Sequence, residues 1–282
     1  MGRLDIGYPS AECSAIKHHS DSPVVKATAV VGPRMAHVTI RDPDIELDEP
    51  TLIEGLPGVG LVGKIATDHL IDTFDMTYYA SVNGCEGLPK LAMYEGDEYD
   101  VRPPIRIYVD EGRDLLALQS DIPIKEQAAN EFATCITDWM NEQNVTPIFL
   151  SGLPTDEKET PPAMFGIATG DGRKSLDSIG MNQPPENGLV SGPTGALLSK
   201  SAELDRDAVG FVVQSSARFP DPEAARILLK DGVARLVGLD VPLDKLVEQA
   251  DQIQEAREKF AQRMQQATEE ESTQAQPLRM YQ

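Results

Sequence analysis

The chain has 282 residues, 40% of them hydrophobic, with 22 glycines and 21 prolines, a composition suited to a globular fold with a sizeable core. Forty-six acidic residues against 25 basic ones give a formal charge of −21, which disfavours nucleic acid and anionic membrane surfaces as partners. No apolar run approaches the roughly 18–20 residues of a membrane span, and the N-terminus lacks a signal-peptide layout, so a cytoplasmic location is expected.

Residues 1–34 mix polar, small and turn-forming types without a sustained period, and a disordered extension is predicted there. Met35 is an alternative natural start, residues 1–34 then stemming from an upstream start codon. From residue 35 to 241 strands and helices alternate. TLIEG (51–55) reads as a buried strand and GVGLVGKIATDHLIDTF as the helix that follows. MTYYASV (76–82), rich in aromatic and β-branched residues, is a strand. KLAMYEG, IRIYVDE and DLLALQS are three further strand candidates, the last two joined as a hairpin at Gly112.

IKEQAANEFATCITDWMNEQ predicts an amphipathic helix, with Ala129, Phe132, Ala133, Ile136, Trp139 and Met140 on one face. That spacing assigns Trp139 to the core. TPIFLSGLP (146–154) is another buried strand, MFGIATG a strand after a polar stretch, and GLVSGPTGALLSKSAEL a turn opening a helix. AVGFVVQSS (208–216) is a late strand. FPDPEAARILLKDGVARLVG is then a helix, with Asp221 as N-cap and Pro222 at its first position. A last helix is expected over 242–267, packed on its own domain or between subunits. Residues 268–282 lose all periodicity and read as a flexible tail. The interleaving predicts a three-layer αβα fold with a mixed, largely parallel sheet.

The stretch GLPGVGLVGK (55–64) overlaps two nucleotide motifs. Gly58, Gly60 and Gly63 satisfy G-x-G-x-x-G, yet Asn83 stands near the place where a ribose-binding acid belongs. Gly63-Lys64 ends most of a Walker pattern, but Ile65 follows and carries no hydroxyl for Mg²⁺. Neither motif is completed. Gly55, Gly58, Gly60 and Gly63 are therefore read as a strand-to-helix turn that allows close helix–sheet approach, weak anion affinity staying open. Gly192 and Gly195 form a second turn that would face the first across the strand ends.

Three scattered cysteines, Cys13, Cys85 and Cys135, predict neither a zinc site nor a disulfide framework, and four histidines show no H-E-x-x-H pattern. No Ser–His–Asp order, paired-carboxylate motif or G-x-S-x-G elbow occurs, so no catalytic residue, metal or cofactor is assigned. The acids spread along the whole chain suit a protein kept soluble in a high-salt cytoplasm; an acidic face for a basic partner is the other reading.

EGLPGVGLVGKIATDHLI, PIRIYVDEGRDLLALQSDIPI, FLSGLP, GPTGALL and FPDPEAARILLKDGVARLVGLDVPLDKLVEQA together resemble the archaeal proteasome-assembly chaperone homologues, over roughly residues 38–261. These relatives of eukaryotic proteasome assembly chaperone 2 are sometimes labelled ATP-grasp superfamily. The resemblance implies a nucleoside phosphorylase-like α/β fold, homo-oligomers, a non-enzymatic role in assembling or binding the proteasome core particle, and, with the charge, a halophilic archaeal source.

The chain ends Met280-Tyr281-Gln282, the hydrophobic-Tyr-any ending by which proteasome activators and some chaperones of this family dock on the α-ring. The terminal carboxylate can pair with a pocket lysine, Tyr281 supplies a rigid ring and a phenol, and Met280 an adaptable apolar contact. The expected function is a proteasome assembly chaperone or adaptor bound to the α-subunits. The rival is a nucleotide-dependent ligase or phosphorylase-like transferase using the two glycine turns.

Overall fold

The structure, a computed structural model, describes residues 16–17, 36–84, 87–94, 99–155 and 159–248. The expected tail, Met280, Tyr281 and Gln282 within it, and residues 249–267 of the helix expected over 242–267 lie outside the described residues. Of residues 1–34, only β1 (Ile16–Lys17) is described, paired in parallel with β2 (His37–Ile40).

The main sheet also holds β3 (Thr51–Gly55), β4 (Thr77–Asn83), β7 (Ile105–Asp110), β8 (Leu115–Ser120), β9 (Thr146–Pro154), β10 (Met164–Thr169) and β11 (Ala208–Ser215). Its order is β1-β2-β4-β7-β8-β3-β9-β11-β10. The central strands β8, β3, β9 and β11 run parallel to one another, and antiparallel pairs β2–β4, β4–β7, β7–β8 and β10–β11 flank them. A sheet so placed must be covered on both faces, which is why β8 opens on the apolar run Leu115–Leu118 and is buried at all six positions.

Helices α2 (Glu126–Glu142) and α4 (Gly192–Glu203) cover one face. There Phe132, Trp139 and Leu197 pack on Ile107, Leu118 and Phe149. The other face carries α1 (Val62–Thr73), α3 (Gly172–Ser178), α5 (Pro222–Ile227) and α6 (Ala234–Val237), a π-helical segment (Leu228–Val233) joining the last two. Val62, Ala66 and Leu70 meet Ile53, Leu150 and Phe211 in that second core. The three-layer αβα architecture is the expected one. Residues 244–248 are helical, and Leu246 is buried in the second core with Leu243 against it.

Three local expectations need refinement or correction. Within KLAMYEG the described strand is β5 (Met93–Tyr94), paired with β6 (Val101–Arg102) as a separate ribbon outside the main sheet. The neighbouring strand β4 already has β2 and β7 on its two sides, so no edge is left for it. The β7–β8 hairpin exists, but Asp114 (φ 47°) takes its left-handed position, Gly112 sitting inside the preceding 3₁₀ turn. Cys135, buried on α2, is disulfide-bonded, against the expectation from spacing; bonding follows proximity in the fold, which spacing along the chain does not report. Cys13 and Cys85 lie outside the described residues.

Candidate functional site at the carboxyl ends of the central strands

Because β3, β8, β9 and β11 are parallel, their carboxyl ends share one side of the sheet, where open α/β folds bind ligands. Four groups meet there: the 55–64 glycine turn after β3, Asp121 after β8, the start of α4, and Asp221 after β11.

The glycine turn lies flat on the sheet. A Cβ on Gly55 would overlap Thr67 Oγ1 and the Gly63 carbonyl oxygen. One on Gly63 would stand 3.2 Å from Gly55 Cα and 3.3 Å from the Leu150 carbonyl oxygen, and one on Gly60 would overlap Ser215 Oγ. Gly60 also has φ 62°, with Leu61 at 51°, two left-handed residues in succession that swing the chain from strand to helix. Gly58 is different: its φ is −143° and its nearest neighbour would be 3.9 Å away. Of the second turn, Gly192 has φ 68° with open space around it, while a Cβ on Gly195 would overlap the Val190 carbonyl oxygen.

Lys64, the cation of the Walker-like pattern, is held by two carboxylates. Its ammonium donates to Asp68 at 3.1 Å and to Asp121 at 3.3 Å. Asp121 in turn accepts from Arg106 Nη2 at 2.7 Å and from Gln119 Nε2 at 2.6 Å, and Arg106 Nε donates to Tyr108 Oη at 2.9 Å. Asp121 is thus shared by two cations. Asn83, at the place of the missing ribose acid, donates to Ser81 Oγ at 2.8 Å and Thr39 Oγ1 at 3.3 Å.

Asp221 is the N-cap of α5, accepting from the Ala224 N–H at 3.2 Å and also from the Ser216 N–H at 3.0 Å. Its own N–H donates to the Gly60 carbonyl oxygen at 2.8 Å, so the cap and the glycine turn hold each other. Asp221 is buried and Pro222 occupies the first helical turn, as the local sequence suggests.

One residue that sequence reasoning missed stands at the centre. Glu54 is fully buried in β3. Its Oε1 accepts from Thr194 Oγ1 at 2.9 Å and from the Leu56 N–H at 3.2 Å, and its Oε2 from the Leu150 N–H at 3.3 Å. Among the described residues no cation partners it: burial pushes its pKa up to about 7, and the three hydrogen bonds only partly offset that. The only signal in the sequence was a carboxylate inside an otherwise apolar strand. Through Glu54 the first turn of α4 is tied to β3, and the two glycine turns meet. Among the described residues no group of His, Cys, Asp and Glu is assembled as a metal site, and no helix is long and apolar enough to cross a membrane.

The PAC2 family model matches residues 52–261, about three quarters of the chain. The chain belongs to the PAC2 family. Uncharacterized protein MJ0106 of Methanocaldococcus jannaschii is 30% identical over 222 residues, which cover 77% of this chain and 87% of that protein. Among solved structures, Pyrococcus furiosus PbaA, described as an archaeal homolog of proteasome-assembly chaperone, superposes with TM-score 0.69 at 24% identity, covering 83% of this chain and 99% of PbaA. P. furiosus PbaB, described as an archaeal proteasome activator, superposes with TM-score 0.68 at 22% identity, covering 81% of this chain and 99% of PbaB. The PAC2 match contains the Glu54 site, both glycine turns and Asp221.

Proposed function

We propose that this PAC2 protein is a cytoplasmic, non-enzymatic chaperone or adaptor of the proteasome that docks on the α-ring of the core particle through Met280, Tyr281 and Gln282. The observation that carries the reading is the hydrophobic-Tyr-any ending on a chain of this family, two of whose structural relatives are a chaperone homolog and a proteasome activator. A free carboxylate, a phenol ring and a thioether chain suit a terminal pocket lined by a lysine and apolar walls. Residues 268–279 could span on the order of 40 Å when extended, enough for a search between pockets. In a homo-oligomer several such ends bind together, and avidity lifts a weak single contact without new interactions.

The chemistry of the strand-end site supports this reading over the ligase or transferase alternative. Lys64 is bound by two carboxylates, and Gly55, Gly60 and Gly63 have their free space filled by the protein itself. The test is capture of the α-ring by the full chain, by a chain lacking residues 280–282, and by the Tyr281→Ala variant. Loss of capture in both altered chains is the expected result. Undiminished capture would sink the reading, and a saturable micromolar isotherm with ATP, NAD or a nucleoside would favour the enzyme.

A further inference from the structure

A groove of about 1050 Å³ runs along the β10 edge of the sheet; its lining reaches Gly195 but includes none of Glu54, Lys64, Asp121 and Asp221. Its floor is a patch of sheet that α4 does not cover. Phe165 pairs in register with Val212, Ile167 with Gly210, and Leu153 with Gln214, which places Leu153, Phe165, Ile167 and Val212 on one face. Phe165, Ile167 and Val212 stay half-buried, although side chains of this kind in a sheet this size are normally covered. Leu198 of α4 forms one wall, and Leu189, 86% exposed, stands on the other.

The rim is acidic. Glu159, Asp177 and Glu186 line it, and among the described residues lining it the one cation is Arg173, paired with Asp177 at 3.5 Å. An apolar floor below carboxylates suits an extended segment whose alternate residues are apolar and which carries a cation between them. The floor is apolar apart from Gln214, which shares the face of Leu153 and Val212, and an open groove of this size suits a short peptide.

The chain holds such a segment, Leu278-Arg279-Met280-Tyr281. In an extended conformation Leu278 and Met280 share one face, and Arg279 projects to the other. Twenty-nine residues, 249 to 277, separate it from the last described residue. With the helix expected to 267 and the tail expected from 268, residues 249–267 would reach about 28 Å and residues 268–277 up to about 33 Å more. The described domain is about 45 Å across by the usual scaling of size with length, so the groove is within reach. A tether of that length holds its end at an effective concentration on the order of a millimolar, so even a weak contact is populated.

We propose that the groove receives the chain's own C-terminal segment, with Leu278 and Met280 on the floor and Arg279 at the acidic rim. Docking there engages Met280 and so withholds the 280–282 ending from the α-ring, a competition that rests on the proteasome-docking reading. The groove then sets how readily the tail is offered to a partner.

Hydrogen exchange on the full chain tests the docking itself. Amides of residues 164–168 and 189–198 should exchange at least about threefold more slowly in the native chain than in a Leu278→Asp/Met280→Asp variant. That variant alters no residue of the folded domain. Leu189→Asp, an exposed position, should give the same fast exchange, and a synthetic peptide of residues 276–282 should restore slow exchange to the tail variant. Equal exchange in native chain and tail variant overturns the inference, and slowing that grows with protein concentration overturns its intramolecular form.

The α-ring provides the second arm. Leu189→Asp should raise apparent affinity for it roughly threefold by freeing the tail. Loss of α-ring capture in Tyr281→Ala, with equal exchange in the native chain and the Leu278→Asp/Met280→Asp variant, removes the groove and keeps the proteasome reading. Slowed exchange without α-ring capture by any chain does the reverse.

Discussion

Thr194 Oγ1 donates a 2.9 Å hydrogen bond to Glu54 Oε1, joining two residues 140 positions apart in a site closed to solvent. Glu54 ends the apolar run of β3 and Thr194 opens α4, so this one bond fixes the second helical layer against the sheet beside the glycine turn. Among the described residues the carboxylate there has three donors and no cation. Such a group prefers its proton in the folded state and its charge in the unfolded one.

Stability should therefore carry a pH signature traceable to Glu54. Its pKa rises from 4.5 to about 7 on folding. The contribution is present in full below the unfolded value and is lost as pH climbs through the folded one. A shift of that size corresponds to about 3 kcal/mol across the window from pH 4.5 to just above 7. Urea unfolding of the native chain and of Glu54→Gln at half-unit steps from pH 5 to 8 measures it. The native curve should fall relative to the variant by about 2–3 kcal/mol over that range. Parallel curves would show that Glu54 keeps its charge throughout. Thr194→Val removes a bond that favours the ionised form, so it should move the fall to higher pH.

The glycine turn allows a ranking. Gly55→Ala drives a methyl into the Gly63 carbonyl, which is backbone and has no rotamer to yield. Gly60→Ala meets Ser215 Oγ and must also hold φ 62°. Each should cost at least about 3 kcal/mol, as overpacking combined with strain does. Gly58→Ala meets open space at an allowed φ and should stay within about 1 kcal/mol. Thermal or urea unfolding of the three variants reads the order directly. Equal damage at Gly58 and Gly55 would mean that the turn is not shaped by packing.

How far the sequence carried depended on the distance over which each feature is decided. The buried strands TLIEG, TPIFLSGLP and AVGFVVQSS were legible because parallel central strands must be apolar on both faces, a property of each segment alone. The Asp221 cap was legible because its acceptor and donor lie three residues apart. The helix α3 was not: GRKSLDS buries only Gly172 and Leu176, too few for a period to show. KLAMYEG has strand-like residues, yet its pairing depended on whether a sheet edge was free, which a segment does not record. The Glu54–Thr194 couple required knowing that α4 returns to β3, and only the topology supplies that.

Asp121 is the hub of the neighbouring ion network. Its carboxylate lies between Lys64 at 3.3 Å and Arg106 at 2.7 Å, and the Arg106 side chain is only 6% exposed. Asp121→Asn keeps the shape but leaves a buried guanidinium without its anion, which should cost about 2–4 kcal/mol. Lys64→Met should cost no more than about 1 kcal/mol, since Lys64 is partly exposed and its ion pairs are screened by water. The double variant Asp121→Asn/Arg106→Met should recover part of the loss, because removing both charges removes the stranded one. A double-mutant cycle by urea unfolding gives all three values. If Lys64→Met proves as damaging as Asp121→Asn, the lysine and not the aspartate organises the site, and a bound anion at the glycine turn regains its physical basis.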